Sequence, residues 1–358
     1  MNKRIFCLPL SLLFIVTGIV SAQNKSAGIY LSVWKGISTQ PADSAQTTYF
    51  NLGILSTMNR LNGVGFNAFG SVIGGNMNGI QFSGLANMVG GSMRGVQLSG
   101  ISNINGNNMV GLSATGLVNI AGNQSKGVLL SGMTSISGDN TSGVMASGIM
   151  NISGDGASGV HLAGLANITG ATFNGVTAGG LLNVIGEHLN GVQISGFANI
   201  VASRMNGVQI GLGNYATKAK GVQIGLVNYY KNEMKGFQLG LVNANPDTKV
   251  QMLIFGGNAT KINIGARFKN KLFYTIIGAG THYLDFSDKF SATLFYRGGI
   301  WLPLCKDLTI SGDLGYQHIE TFKNKDYGIP ARLYGLQARL NLEYQITKKF
   351  GIFASGGY

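Results

Sequence analysis

The sequence predicts an all-β chain, a glycine-rich β-solenoid of 16-residue repeats combined with an antiparallel outer-membrane-type β-barrel of about 8–10 strands. Three observations predict it. Glycine supplies 56 of 358 residues against 5 prolines, while charged residues make up only 11%. Glycines recur every sixteenth residue from Gly63 to Gly207. Beyond Ala244 the repeats give way to longer alternating stretches with more aromatics. This glycine share is roughly twice the usual one and the charge share less than half. Disorder wants more charge and less apolar content, and collagen wants glycine at every third position with abundant proline.

The first element is a leader. Residues 1–22 place Lys3 and Arg4 before a short apolar run and end on Val20 and Ala22, a small-residue cleavage pattern followed by Gln23. The run is short for a membrane anchor, and no later stretch reaches the 18 apolar residues that a spanning helix needs. Export is therefore expected. Of the two cysteines, Cys7 lies in the leader and Cys305 is left alone, which excludes a disulfide framework or a cysteine-held metal.

The solenoid is expected over 63–245. In the unit GVQLSGISNINGNNMV, which starts at Gly95, further glycines stand at Gly100 and Gly106 and an asparagine at Asn103. Equivalent asparagines stand at Asn87, Asn119, Asn151, Asn167, Asn183 and Asn199, with Ser135 as the break. From Gly207 on, the units GVQIGLGN, GVQIGLVN and GFQLGLVN lose one residue between their first two glycines, as when a bulge is removed. Val96 and Leu98 alternate with Gln97, which is strand periodicity. A helix would lose roughly 1 kcal/mol at each glycine. Short strands cannot bury an apolar face alone, but stacked equivalents can. The expectation is that Val96, Val128, Val144 and Val160 stack inward at a rise of about 4.8 Å per coil. The asparagines either form ladders between coils or serve as turn residues.

Barrel strands are expected in the flanks, 23–62 and 246–358. The early pair is 27–36 and 47–56, and the late candidates are 249–257, 259–268, 271–284, 289–300, 306–320, 330–345 and 349–358. In the sixth of these, Tyr334, Leu336, Ala338, Leu340, Leu342 and Tyr344 form an apolar row. The alternate row carries Arg339, Asn341 and Glu343. A lipid-facing row opposite a polar lumen row, bracketed by aromatics and ending on the terminal Tyr358, is the pattern of a membrane barrel. Two other arrangements fit less of the pattern: a soluble sandwich, and a large pore in which the repeats themselves are membrane strands.

Chemistry is sparse. His161, His188, His282 and His318 show no metal-binding spacing, and His161 and His188 read as tolerated surface replacements. Ser99, Ser131 and Ser195 repeat in one column, the mark of structure rather than of one tuned nucleophile. Asp139 and Asp155 occupy equivalent turns, too few oxygens for a calcium site. No catalytic, cofactor-binding or metal-binding residue is assigned, and no enzyme is expected. The net charge of +13 comes without a dense basic run, so nucleic acid is not an expected partner. Most cations lie in 207–358, whereas 63–206 carries only Arg94, Lys126 and Arg204 against Asp139, Asp155 and Glu187.

The units GVQLSGISN, GVQIGLVN and GFQLGLVN resemble the GVQxxGLxN-type surface-repeat proteins of the cell envelope in Bacteroides-like bacteria. The later FYTIIGAGTHYLDF and the aromatic terminus resemble them as well. The resemblance implies a cell-envelope location and supplies no catalytic positions. The expected role is that of an outer-membrane-anchored repeat protein, structural, adhesive or ligand-presenting. Its expected partners are outer-membrane lipid and an envelope glycan or another surface protein. The alternatives are an outer-membrane pore and a soluble periplasmic or secreted solenoid that binds glycan or protein.

Overall fold

A computed structural model describes residues 28–34, 36–40, 46–285, 289–324 and 332–358, so the expected leader lies outside the described residues. Every regular element among them is a strand. No helix there is long and apolar enough to cross a membrane. The chain divides into two compact units, 1–207 and 208–358.

The first unit is a parallel β-solenoid. Each coil carries a seven-residue strand and a four-residue strand, as in Met93–Ser99 and Ser102–Asn105. Each strand pairs in parallel with its equivalent sixteen residues on: Gly95 with Gly111, Gly143 with Gly159, Asn151 with Asn167. Parallel pairing rules out the pore arrangement, whose neighbouring membrane strands would run antiparallel.

Glycine is required here for two reasons. At Gly127 the backbone takes φ 128°, in the region that disfavours a side chain. A Cβ there would also lie 2.1 Å from the carbonyl oxygen of Gly111 in the preceding coil. At Gly132 only the second reason holds, with a Cβ 2.0 Å from the Gly116 oxygen. The coils approach so closely that both columns exclude side chains.

The Val96 column faces the opposite way from that expected. Gln97 and Asn103 are fully buried, whereas Val96, Val128, Val144 and Val160 stack in register on the outer side and are half-buried. The physical reason is parity. Met93, Gly95 and Gln97 lie on one side of the strand and Val96 and Leu98 on the other. Met93 and Gln97 are both buried, so the alternate row of Val96 and Leu98 is left on the outer side. Methionines such as Met77, Met93, Met109 and Met145 fill the apolar part of the interior.

Asparagine ladders satisfy the polar part. Asn151 Nδ2 donates to Asn167 Oδ1 at 2.8 Å, Asn167 to Asn183 at 2.9 Å and Asn183 to Asn199 at 3.0 Å. Each amide also caps a backbone carbonyl, as Asn151 does that of Leu162 at 2.7 Å. The asparagine column is thus a ladder and not merely a set of turn residues.

The expected early barrel strands join this sheet. Ile29–Trp34 pairs in parallel with Thr47–Met58, which in turn pairs in parallel with Arg60–Ile73. Residue offsets of 13 to 15 along the second pairing give the chain length for one circuit of a coil.

In the second unit the shorter coils continue the parallel pattern. Gly213–Ile224 pairs with Val227–Leu239, and Asn214, Asn228 and Asn243 form a ladder with bonds of 2.8 Å. Seven antiparallel strands follow: Lys249–Phe255, Ile262–Lys269, Phe273–Thr281, Lys289–Pro303, Leu308–Asn324, Arg332–Gln345 and Gly351–Gly357. Each pairs with the next in chain order, and the short Leu284–Asp285 pairs beside the fourth. The first and last do not pair with each other, so the sheet is an open half-barrel and not the closed outer-membrane-type barrel expected. The two strands expected from 23–62 stack in the solenoid instead.

Candidate functional site

With polar groups turned inward, the first unit displays aliphatic columns to its surroundings. The residue three places after each repeat glycine points outward. Along six successive coils that column reads Ala114, Leu130, Ala146, Leu162, Ala178 and Ile194, alternately small and large. It lines a groove of about 840 Å³ together with the hydroxyl column of Thr115, Ser131 and Ser147 and the close-packed Gly164, Gly180 and Gly196. The hydroxyls are engaged with one another, Ser131 with Ser147 at 2.7 Å, which leaves the groove wall mainly apolar. Beyond the glycines stands a third column in which Leu165 is 46% exposed and Phe197 64%. A continuous apolar strip of this kind on a rod is the feature that solvent-facing surfaces generally avoid.

The residues weighed from the sequence fall elsewhere. His161 is 1% exposed and is no surface replacement: it occupies the inward glutamine column, edge-on to Phe173 at 5.0 Å. Burial lowers its pKa to about 4, and its Nε2 has no hydrogen-bond partner. His188 is half-buried. Asp139 and Asp155 are tied into the turn stack by Asn140, whose Nδ2 reaches Asp139 at 2.9 Å and Asp155 at 3.4 Å. Ser99 bonds Thr115 at 3.2 Å within its own column. The aliphatic alternation escaped notice because each repeat alone looks unremarkable, and only the column across repeats shows it.

The second unit buries its charge on one face of the half-barrel. Arg267 donates to Glu343 at 2.6 Å, and Tyr274 and Asn341 both donate to Asp313, at 2.8 and 2.7 Å. Burial, with Arg339 adding repulsion, lowers the Arg297 pKa to about 10, while Asp313 and Tyr274 act in the opposite sense. Burial first, and the Asp313 charge second, push the Tyr274 phenol up. These groups neutralise one another as structural ion pairs do. Among the described residues, no three of His, Cys, Asp or Glu converge as metal ligands would. The opposite face holds the expected apolar row, with Leu336 83% exposed.

No family model, no curated protein and no solved structure matches this chain.

Proposed function

We propose that this chain is an exported, non-enzymatic repeat protein whose solenoid is a binding rod presenting its apolar strip to a protein partner. The observation that carries the reading is the inverted solenoid, with glutamine and asparagine ladders inside and leucine, isoleucine and phenylalanine columns outside. A strip left in water would lose roughly 25 cal/mol for each Å² it could bury, so covering it is the favourable outcome. A glycan fits less well, because the groove offers aliphatic walls and few free polar groups to orient sugar hydroxyls. The leader pattern of residues 1–22 supports the export part of this reading.

The test is site-specific photo-crosslinking in intact producing cells. A photoreactive side chain in place of Leu162, on the strip, should yield an adduct. The same group in place of Asn107, an exposed turn residue, should yield none. A folded protein that gives no adduct from position 162 would overturn the reading.

A second reading is favoured by the exposed row of the half-barrel, in which Leu336, Leu340 and Leu314 face outward. This face would lie against outer-membrane lipid. An open sheet leaves edge groups unpaired in hydrocarbon, so contact at the membrane surface fits better than spanning. Carbonate-resistant association with membranes, abolished by Leu336→Glu with Leu340→Glu, is the expected result. Release by carbonate of the unaltered protein would refute this second reading.

A further inference from the structure

We propose that the partner of the apolar strip is a second copy of this chain, docked face to face and antiparallel about a twofold axis. The axis passes midway between the coils of Ala146 and Leu162. This deepens the reading of the strip as an interface and rests on it.

The small–large alternation is the observation that selects this occupant. Strands of successive coils pair in register at sixteen-residue offsets, about 4.8 Å apart. Large side chains therefore recur at about 9.6 Å, with alanines between them. Under the proposed twofold, Leu162 of one copy meets Ala146 of the other, Leu130 meets Ala178, and Ile194 meets Ala114. Across these six coils every knob faces a hole, although the column before them, Phe66, Phe82 and Leu98, does not alternate. Turning the copies parallel in register would set leucine against leucine and leave alanines facing a void, and filling voids is what core-like packing requires. A flexible acyl chain or a smooth lipid surface has no use for a two-coil period. A twofold interface must be self-complementary, and this column is.

Charge permits the contact. The strip itself carries no charge, and 63–206 balances three cations with three anions.

The experiment uses the exported chain, without residues 1–22 and so without Cys7, carrying Cys305→Ser, which removes the exposed native thiol. Sedimentation should show a species of twice the monomer mass. Leu130→Cys with Ala178→Cys should form an intermolecular disulfide rapidly under mild oxidation. These two positions are three coils apart within one copy, about 14 Å, too far to link internally. Leu98→Cys with Ala178→Cys, two coils out of register across the interface, should not link. Filling the holes with Ala146→Leu and Ala178→Leu should convert the dimer to monomer with unchanged circular dichroism. A dimer that links equally well out of register, or that survives the filled holes, overturns the proposal. A monomer at every concentration overturns it as well. In that event the Leu162 photo-adduct still reports separately whether the strip is an interface for some other protein.

Discussion

At the scale of single residues, the solenoid is governed by what the space between coils allows. Gly127→Ala puts a methyl against the Gly111 carbonyl at an unfavourable φ, so it should destabilise by about 2 kcal/mol or more. Gly298→Ala, with open space around it, should stay within about 0.5 kcal/mol. Thermal unfolding of the pair measures the contrast. His161 adds a pH dependence. Its folded pKa of about 4 lies below the ordinary 6.5, so the unfolded chain takes up the proton first. Stability is then full above pH 6.5 and falls as pH drops from 6.5 to 4. The loss amounts to about 3 kcal/mol, with no further change from this group below that window. His161→Gln restores the residue found at Gln97 and Gln193 and should flatten the profile in denaturant titrations between pH 4 and 7. An equally steep profile would mean that other groups control the acid limb.

At the scale of elements, the ladders are chains of amides with one natural gap. Ser135 stands where the neighbouring coils hold Asn119 and Asn151, all three buried. Its hydroxyl meets Ser131 at 3.0 Å but reaches no amide across the coils. Ser135→Asn should bridge the gap and raise stability by about 1 kcal/mol, the usual net value of a buried hydrogen bond. A drop in melting temperature would show that the pocket there has closed around the smaller side chain. Much of this was legible beforehand. The sixteen-residue period, the strand–corner–strand coil and all seven late strands follow from glycine spacing and alternation. Which row faces inward does not follow from alternation alone, and the preference for burying valine points the wrong way. Gly95 does not reveal the inward row, because it is demanded by the carbonyl of the preceding coil and by its positive φ. Thr47–Met58 misled for a related reason: its alternation suits either a barrel edge or a coil wall, and only pairing distinguishes them.

At the scale of the whole molecule, both sheets turn aliphatic columns outward and keep paired polar groups inside, in the first unit alongside a methionine-rich core. In the second unit this leaves Arg267 and Glu343 dependent on each other. Glu343→Gln removes the charge opposite a buried guanidinium and should cost roughly 3–5 kcal/mol. Hydrogen exchange should accelerate across 249–357, while the coils between Met93 and Ile185 keep their protection. Uniform acceleration along the chain would contradict a local role for this ion pair.

The two-coil period of the outward column also constrains how such a gene can grow or shrink. Repeat arrays gain and lose units by slippage, and a solenoid tolerates the loss of one coil as long as its strands still stack. The alternation does not. Excising 127–142 removes one coil and sets Ala114 beside Ala146, which throws every later knob out of phase. Excising 127–158 removes two coils and brings Ala114 next to Leu162, with the phase intact. Length variants of this protein that keep the face working should therefore differ by 32 residues and not by 16. Copy number would then change in steps of two, an arithmetic imposed by alanine and leucine on the replication of the DNA that encodes them.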